Sequence, residues 1–327
     1  MNIEMTSCLR GKELEDWKRL TESAGLFAEN MPEKIALAYE GGELIATGAR
    51  DGAVLKYIAI ADSHRGEDLT ASILTELRRD AFEDGHTHLF LYTKPKNRFT
   101  FESLLFYPVI ETKDTLVMEN RRGGFKAFLD SLPEAPAGKV GAIVMNANPF
   151  TLGHRALVMR AATECDRVFV FVLSENKSLF SANDRLNMVR LGCEKIENAT
   201  VLPSGEYLIS RATFPTYFLP DREGAKLAAC EADIEIFKQH LAKRLNITKR
   251  YVGCEPTSPL TRQYNEMLKA KLPEAGIELI EIERIESEGE PISASRVRSL
   301  IEKGDTGSLG KLLPQTTVEY LKKNGFF

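Results

Sequence analysis

The chain has 327 residues, of which 43% are hydrophobic and 28% charged, with a formal net charge of −4. That length allows two separate cores, and the charge balance gives no general electrostatic reason to bind nucleic acid. No apolar run approaches the roughly 20 residues of a membrane helix, and the first residues carry charge where a signal peptide needs an unbroken apolar stretch, so a cytoplasmic protein with no membrane partner is expected.

In chain order, apolar residues at helical spacing (Leu14, Trp17, Leu20, Ala24, Phe27) predict an amphipathic helix over 13–27. Residues 35–39 and 43–48 flank Gly41-Gly42 as a hairpin, and 53–60 reads as a further strand. A turn through Arg65-Gly66 leads into a helix marked by Ile73, Leu74, Leu77 and Phe82, then a strand over 87–93 and a short helix over 101–107. Arg-Arg-Gly-Gly at 121–124 and Pro-Glu-Ala-Pro-Ala-Gly at 133–138 bracket a short amphipathic piece, which we read as a linker with one docking helix. The expected domains are therefore 1–132 and 133–327.

Beyond the linker, strand and helix alternate. Strands are expected over 140–145, 167–173, 200–203, 250–253 and 277–285, with helices from 151, over 184–196, around Ile234 to Leu245, and over 261–272. Such alternation implies a doubly wound parallel sheet, in which ligands bind at the carboxyl ends of the strands. Asn146-Ala147-Asn148-Pro149-Phe150-Thr151-Leu152-Gly153-His154 lies at one of those ends. A strand, a tight turn and a helix start point orphan N–H groups and the positive dipole end at one place, which suits phosphate. Gly153 permits close approach of a ligand, and His154 can donate to a phosphate oxygen as charge develops.

The second informative stretch, Pro291-Ile292-Ser293-Ala294-Ser295-Arg296-Val297-Arg298, starts a helix that stops at Gly304. Ser293 or Ser295 is placed as its N-cap. Arg296 and Arg298, two residues apart, point to nearly opposite faces, so at most one enters a given site. The five cysteines (Cys8, Cys165, Cys193, Cys230, Cys254) are odd in number, widely separated and without a Cys-x-x-Cys pair, so reduced thiols and no protein metal site are expected.

Over roughly residues 1–120 the order of elements resembles the GCN5-related acetyltransferase fold, a smaller α+β domain. That family's loop gives backbone N–H groups to the pyrophosphate of acetyl-CoA, but here its two glycine positions hold Asp68 and Thr70, and an aspartate there opposes a diphosphate. The second half resembles the nucleotidyltransferase superfamily of the HxGH type. Thr151, Gly153 and His154 fall on its first motif, and Ile292, Ser293, Ser295 and Arg298 on its second. The match implies that Arg298 is the phosphate ligand and Arg296 a surface residue. Asn148 stands where the superfamily often has aspartate.

Residues 145–151, Ser-Arg-Ala-Thr-Phe-Pro at 210–215, Val-Gly-Cys-Glu-Pro at 252–256 and residues 291–298 together resemble the citrate lyase ligase family over nearly the whole chain. The resemblance implies an acid–thiol ligase that uses ATP, with Mg²⁺ carried by ATP, and acetate to form acetyl adenylate. The acetyl group then passes to the thiol on the acyl carrier subunit of citrate lyase, which bears a phosphoribosyl-dephospho-CoA group. It assigns catalysis to His154, Thr151 and Arg298. Nucleotide binding falls to Asn146, Asn148, Phe150, Gly153, Glu255, Ser293 and Ser295, and acetate or the carrier arm to Ser210 and Arg211. A pantetheine- or mononucleotide-type adenylyltransferase and a non-catalytic nucleotide sensor are the alternative readings.

Overall fold

The structure, a computed structural model, describes residues 2–27, 30–65, 68–174, 179–208, 217–218, 222–255 and 258–327. The chain divides into two compact units, one of residues 1–127 with 214–232 and one of 128–213 with 233–327. The expected second domain thus gives up residues 214–232. The physical reason lies in their side chains: Tyr217 and Phe218 are buried, Tyr217 donates its hydroxyl to the Tyr92 carbonyl at 2.8 Å, and its ring packs 4.6 Å from that of Tyr57.

The first unit contains β1 (Ile3–Thr6), α1 (Gly11–Ser23), β2 (Lys34–Glu40), β3 (Glu43–Asp51), β4 (Val54–Ile60), α2 (Leu69–Glu83), β5 (Phe90–Thr93), α3 (Arg98–Ser103), β6 (Tyr107–Glu111), β7 (Leu116–Glu119) and the start of α4 (Gly124–Ser131). Its strands form one sheet in the order β1-β2-β3-β4-β5-β7-β6, antiparallel except for β4 and β5. This is the α+β arrangement expected of an acetyltransferase-like domain. The apolar face of α2 (Leu69, Ile73, Leu74, Leu77, Ala81) is buried on the sheet. It comes so near that a Cβ on Gly48 of β3 would stand 2.5 Å from the Ile73 side chain. Residues 101–107 differ from expectation: the helix ends at Ser103, Leu105 takes a φ of 61°, and Tyr107 already begins β6.

The second unit alternates β8 (Val140–Met145), α5 (Leu152–Glu164), β9 (Arg167–Val172), α6 (Ala182–Cys193) and β10 (Ala199–Pro203). The chain returns to it within α7 (Arg222–Ile236), which continues through a π-helical turn (Phe237–Leu241) and α8 (Ala242–Arg244). Then follow β11 (Lys249–Gly253), α9 (Pro259–Lys271), β12 (Glu278–Ile282), the small hairpin β13 (Glu286–Ser287) and β14 (Glu290–Pro291), α10 (Ala294–Glu302) and α11 (Gln315–Lys323). The sheet order is β10-β9-β8-β11-β12 and every pairing is parallel. This is the doubly wound fold.

Strand order reverses between β8 and β11. There the pairing is confined to Lys249 opposite Gly141 and Arg250 opposite Ala142, whereas β8 pairs with β9 along its whole length, from Val140 to Met145. Beyond Ala142 and Arg250 the two strands are no longer paired, and in this architecture the crevice at the carboxyl ends of the strands beside such a switch point is where ligands bind. Among the described residues no helix is long and apolar enough to cross a membrane. Among the described residues no cysteine forms a disulfide, and Cys165, Cys193 and Cys230 are buried.

Candidate active site

The turn after β8 is held by a buried cation that the sequence did not single out. Arg185 of α6 is fully buried, and its Nη1 donates to the carbonyl of Asn146 at 2.9 Å, to the Asn146 Oδ1 at 2.6 Å and to the Leu173 carbonyl at 2.7 Å. Its Nε donates to the Phe180 carbonyl at 3.2 Å. One guanidinium thus ties the ends of β8 and β9 together. Ala147 takes a φ of 51° and the Asn148-Pro149 bond is cis. The Asn148 side chain, also buried, accepts from the Phe180 N–H at 3.3 Å, a task for its amide oxygen that a carboxylate could equally perform.

Thr151 caps α5, and the cap is reciprocal. The Thr151 Oγ1 accepts from the His154 N–H at 3.3 Å, while the His154 Nδ1 accepts from the Thr151 N–H at 3.0 Å and lies 2.9 Å from the Thr151 hydroxyl. A histidine thereby takes the place usually held by Glu or Gln in a capping box. Because Nδ1 is an acceptor, the neutral ring carries its proton on Nε2. Burial, and after it the positive charge of Arg284, push the His154 pKa down from 6.5 to about 4. The ring is backed by Phe150, stacked at 5.9 Å between centroids. Phe150 itself is fully enclosed, and a Cβ on Gly192 of α6 would collide with it, so its ring supports His154 from the core and does not line the crevice. Gly153 has ordinary surroundings: a Cβ there would sit 3.5 Å from both the Ile292 carbonyl and the Thr151 hydroxyl.

Ser293 is the N-cap of α10, accepting from the Arg296 N–H at 3.2 Å. From the first turns of that helix Arg298 reaches the turn after β8, its Nη1 donating to the Asn148 carbonyl at 2.7 Å and its Nη2 to the Ser295 hydroxyl at 3.2 Å. Arg296 goes elsewhere. Its Nη1 donates to the Ser287 carbonyl at 3.2 Å, and its guanidinium stands 3.8 Å from Glu288 and 3.5 Å from Glu290 on the β13–β14 hairpin.

Glu255 follows β11 and is largely buried, with both carboxylate oxygens engaged: Oε1 accepts from the Ser258 N–H at 3.1 Å and Oε2 from the Arg284 Nη2 at 2.6 Å. Ser210 and Arg211 lie outside the described residues. Arg284, like Arg185, was missed. It sits just past β12, and its only sequence signal was that place at the carboxyl end of a parallel strand.

The structure thus gathers a helix N-terminus, the Thr151 hydroxyl, the His154 ring and two arginines around the crevice, an arrangement suited to a polyanion. Among the described residues no group of three or more His, Cys, Asp or Glu could hold a metal ion. Residues 140–321 match the family described as the citrate lyase ligase C-terminal domain. The chain is 44% identical over 285 residues to a (citrate (pro-3S)-lyase) ligase of Klebsiella pneumoniae, covering 85% of this chain and 83% of that one. It is 41% identical over 288 residues to the protein of the same name in Escherichia coli strain K12, covering 86% and 82% respectively. Among solved structures, Escherichia coli ElaA is similar over 37% of this chain and all of its own, at 14% identity and a TM-score of 0.33. With a family match from the first strand of the parallel sheet to its last helix, and relatives aligned over most of their own length, the chain belongs to the citrate lyase ligase family of enzymes.

Proposed function

We propose that this enzyme activates citrate lyase by acetylating the thiol of the phosphoribosyl-dephospho-CoA group on its acyl carrier subunit, at the expense of ATP. An acetate oxygen attacks the α-phosphorus, the α–β bridging bond breaks, and its electron pair leaves with pyrophosphate. The thiol sulfur then attacks the acetyl carbonyl, AMP departs and the thiol proton is released to solvent. Acetate, with a carboxyl pKa of roughly 4 to 5, is already an anion at neutral pH, so the first step needs no general base. Positioning and charge stabilisation are what the chain must supply.

In this reading the α5 N-terminus and the Thr151 hydroxyl bind the phosphates, Gly153 lets them approach the backbone, and the His154 Nε2–H donates to oxygens that gain charge in the transition state. Arg298 offers a fork of donors from α10, and Asn146, Asn148, Ser293 and Ser295 shape the two turns that carry these groups. Mg²⁺ enters as part of the ATP substrate.

The observation that carries the proposal is the meeting of Arg298 with the turn of Thr151 and His154 at the switch point, 2.7 Å from the Asn148 carbonyl. Purified protein alone should catalyse exchange of labelled pyrophosphate into ATP only when acetate is present. Exchange of equal rate without any carboxylic acid would replace the proposal by adenylylation of a different acceptor.

A further inference from the structure

Glu255 has the position of a nucleoside ligand, yet its geometry gives it another occupation. Its carboxylate is largely buried and both oxygens are committed, one to the N–H of Ser258 and the other to Arg284. The Arg284 Nε in turn donates to the Cys254 carbonyl at 2.8 Å. A guanidinium held at Nε and Nη2 by two fixed acceptors has lost most of its rotational freedom. Its remaining N–H donors, including both on Nη1, have no protein partner among the described residues, and the side chain keeps 28% of its surface exposed. The cation is therefore pre-oriented but unspent.

Two further links bring it to the crevice. Arg284 precedes Ile285, whose carbonyl accepts from the Ile292 N–H at 3.0 Å, and the Ile292 carbonyl would stand 3.5 Å from a Cβ on Gly153. Its charge is also felt by the His154 ring. Arg284 thus stands at the ends of β11 and β12, while Arg298 arrives from α10.

We infer that Arg284 is a second phosphate ligand of the adenylation site, contacting the triphosphate from the β11–β12 side, and that Glu255 is the positioning residue that aims it. The inference rests on the adenylation reading and adds to it a role for a residue no motif marks. Charge that accumulates on the departing pyrophosphate is met by two arginines, one held by a carboxylate and one by a carbonyl.

Acetate-dependent pyrophosphate exchange and calorimetric ATP binding, measured on the full chain, test it together. Loss of one such preorganised donor costs about 100- to 1,000-fold in rate, so Arg284→Ala should lower kcat/KM for ATP by that much and weaken ATP binding. Arg284→Lys, which keeps charge without the fork, should fall between, and this variant decides the matter if Arg284→Ala fails to fold. Glu255→Gln keeps one acceptor oxygen, enough to hold Arg284 while the bond from the Ser258 N–H is given up, and should lose only several-fold. Glu255→Ala should approach Arg284→Ala, and the double variant should be no worse than Arg284→Ala alone, because a positioning residue acts through its partner. Multiplying losses would overturn the positioning role, and unaltered exchange and binding in Arg284→Ala would overturn the phosphate role. Should the wild type bind ATP without exchange, the adenylation reading fails, and the ATP affinities of the same variants still judge Arg284.

Discussion

With Nδ1 occupied by the Thr151 amide, His154 can serve as a donor only through Nε2, and only a neutral ring does so without an added charge. Its pKa is lowered from 6.5 to about 4, so the folded protein takes up its proton well below the pH at which the unfolded chain does. The sign follows: the contribution to stability is complete above about pH 6.5 and is lost as pH falls toward 4. Nitrogen-detected NMR of the ligand-free protein should therefore find His154 as the Nε2–H tautomer at pH 6, with a midpoint near 4, and a midpoint at or above 6 would contradict the buried cap. Gly153 yields a prediction of opposite character. Protein atoms leave room for a methyl group at that position, and alanine in place of glycine favours a helix by about 0.5 to 1 kcal/mol. Gly153→Ala should keep or raise the melting temperature while reducing exchange on the order of 100-fold, since the methyl would displace the phosphates by about 1 Å. A variant that melts early would mean that packing, and no ligand, requires the glycine. Both residues were legible in the sequence because their chemistry depends on local backbone. Arg185 was not: nothing in a 3.6-residue pattern says that one arginine of α6 will be wholly buried among carbonyls supplied by three other segments.

At the scale of elements, what could be read was what is periodic or capped. β8, α5, β9, β11, α9 and α10 lie close to where apolar runs and capping residues put them, and the separation of Arg296 from Arg298 follows from helical geometry alone. In contrast β1, β6 and β7 have four or five residues each and owe their conformation to a neighbouring strand, so no local signal marks them. Arg284 was concealed by a similar limit, since an expected strand through 285 absorbed it, whereas β12 stops at Ile282. The two faces of α10 make a direct prediction. Arg298→Ala should reduce pyrophosphate exchange by roughly 100- to 1,000-fold, whereas Arg296→Ala, which forgoes partly exposed contacts with Ser287, Glu288 and Glu290, should stay within a few-fold of wild type. Equal losses would mean that the hairpin and the turn after β8 serve catalysis alike.

At the scale of the whole molecule, the first unit is discontinuous, and neither composition nor periodicity announces that residues 214–232 return to it. Tyr217 and Phe218 bring two buried aromatic rings, each worth about 1.5 to 3 kcal/mol, a large share of the stability of a small unit. Residues 1–132 expressed alone should accordingly melt far below the same residues carrying 214–232 on a flexible linker, as followed by circular dichroism. Identical melting would show the returning segment to be dispensable. The discontinuity also sets an order of events during synthesis. The first unit has its sheet by Glu119 but receives Tyr217 only after β8, β9 and β10 have left the ribosome. At about 5 to 20 residues per second, the unit waits on the order of 5 to 20 seconds for its last piece, and in that interval three of the five strands of the parallel sheet emerge without β11 and β12. Neither unit is complete while the other is absent from the growing chain, so the two must mature as interleaved halves of one translation product.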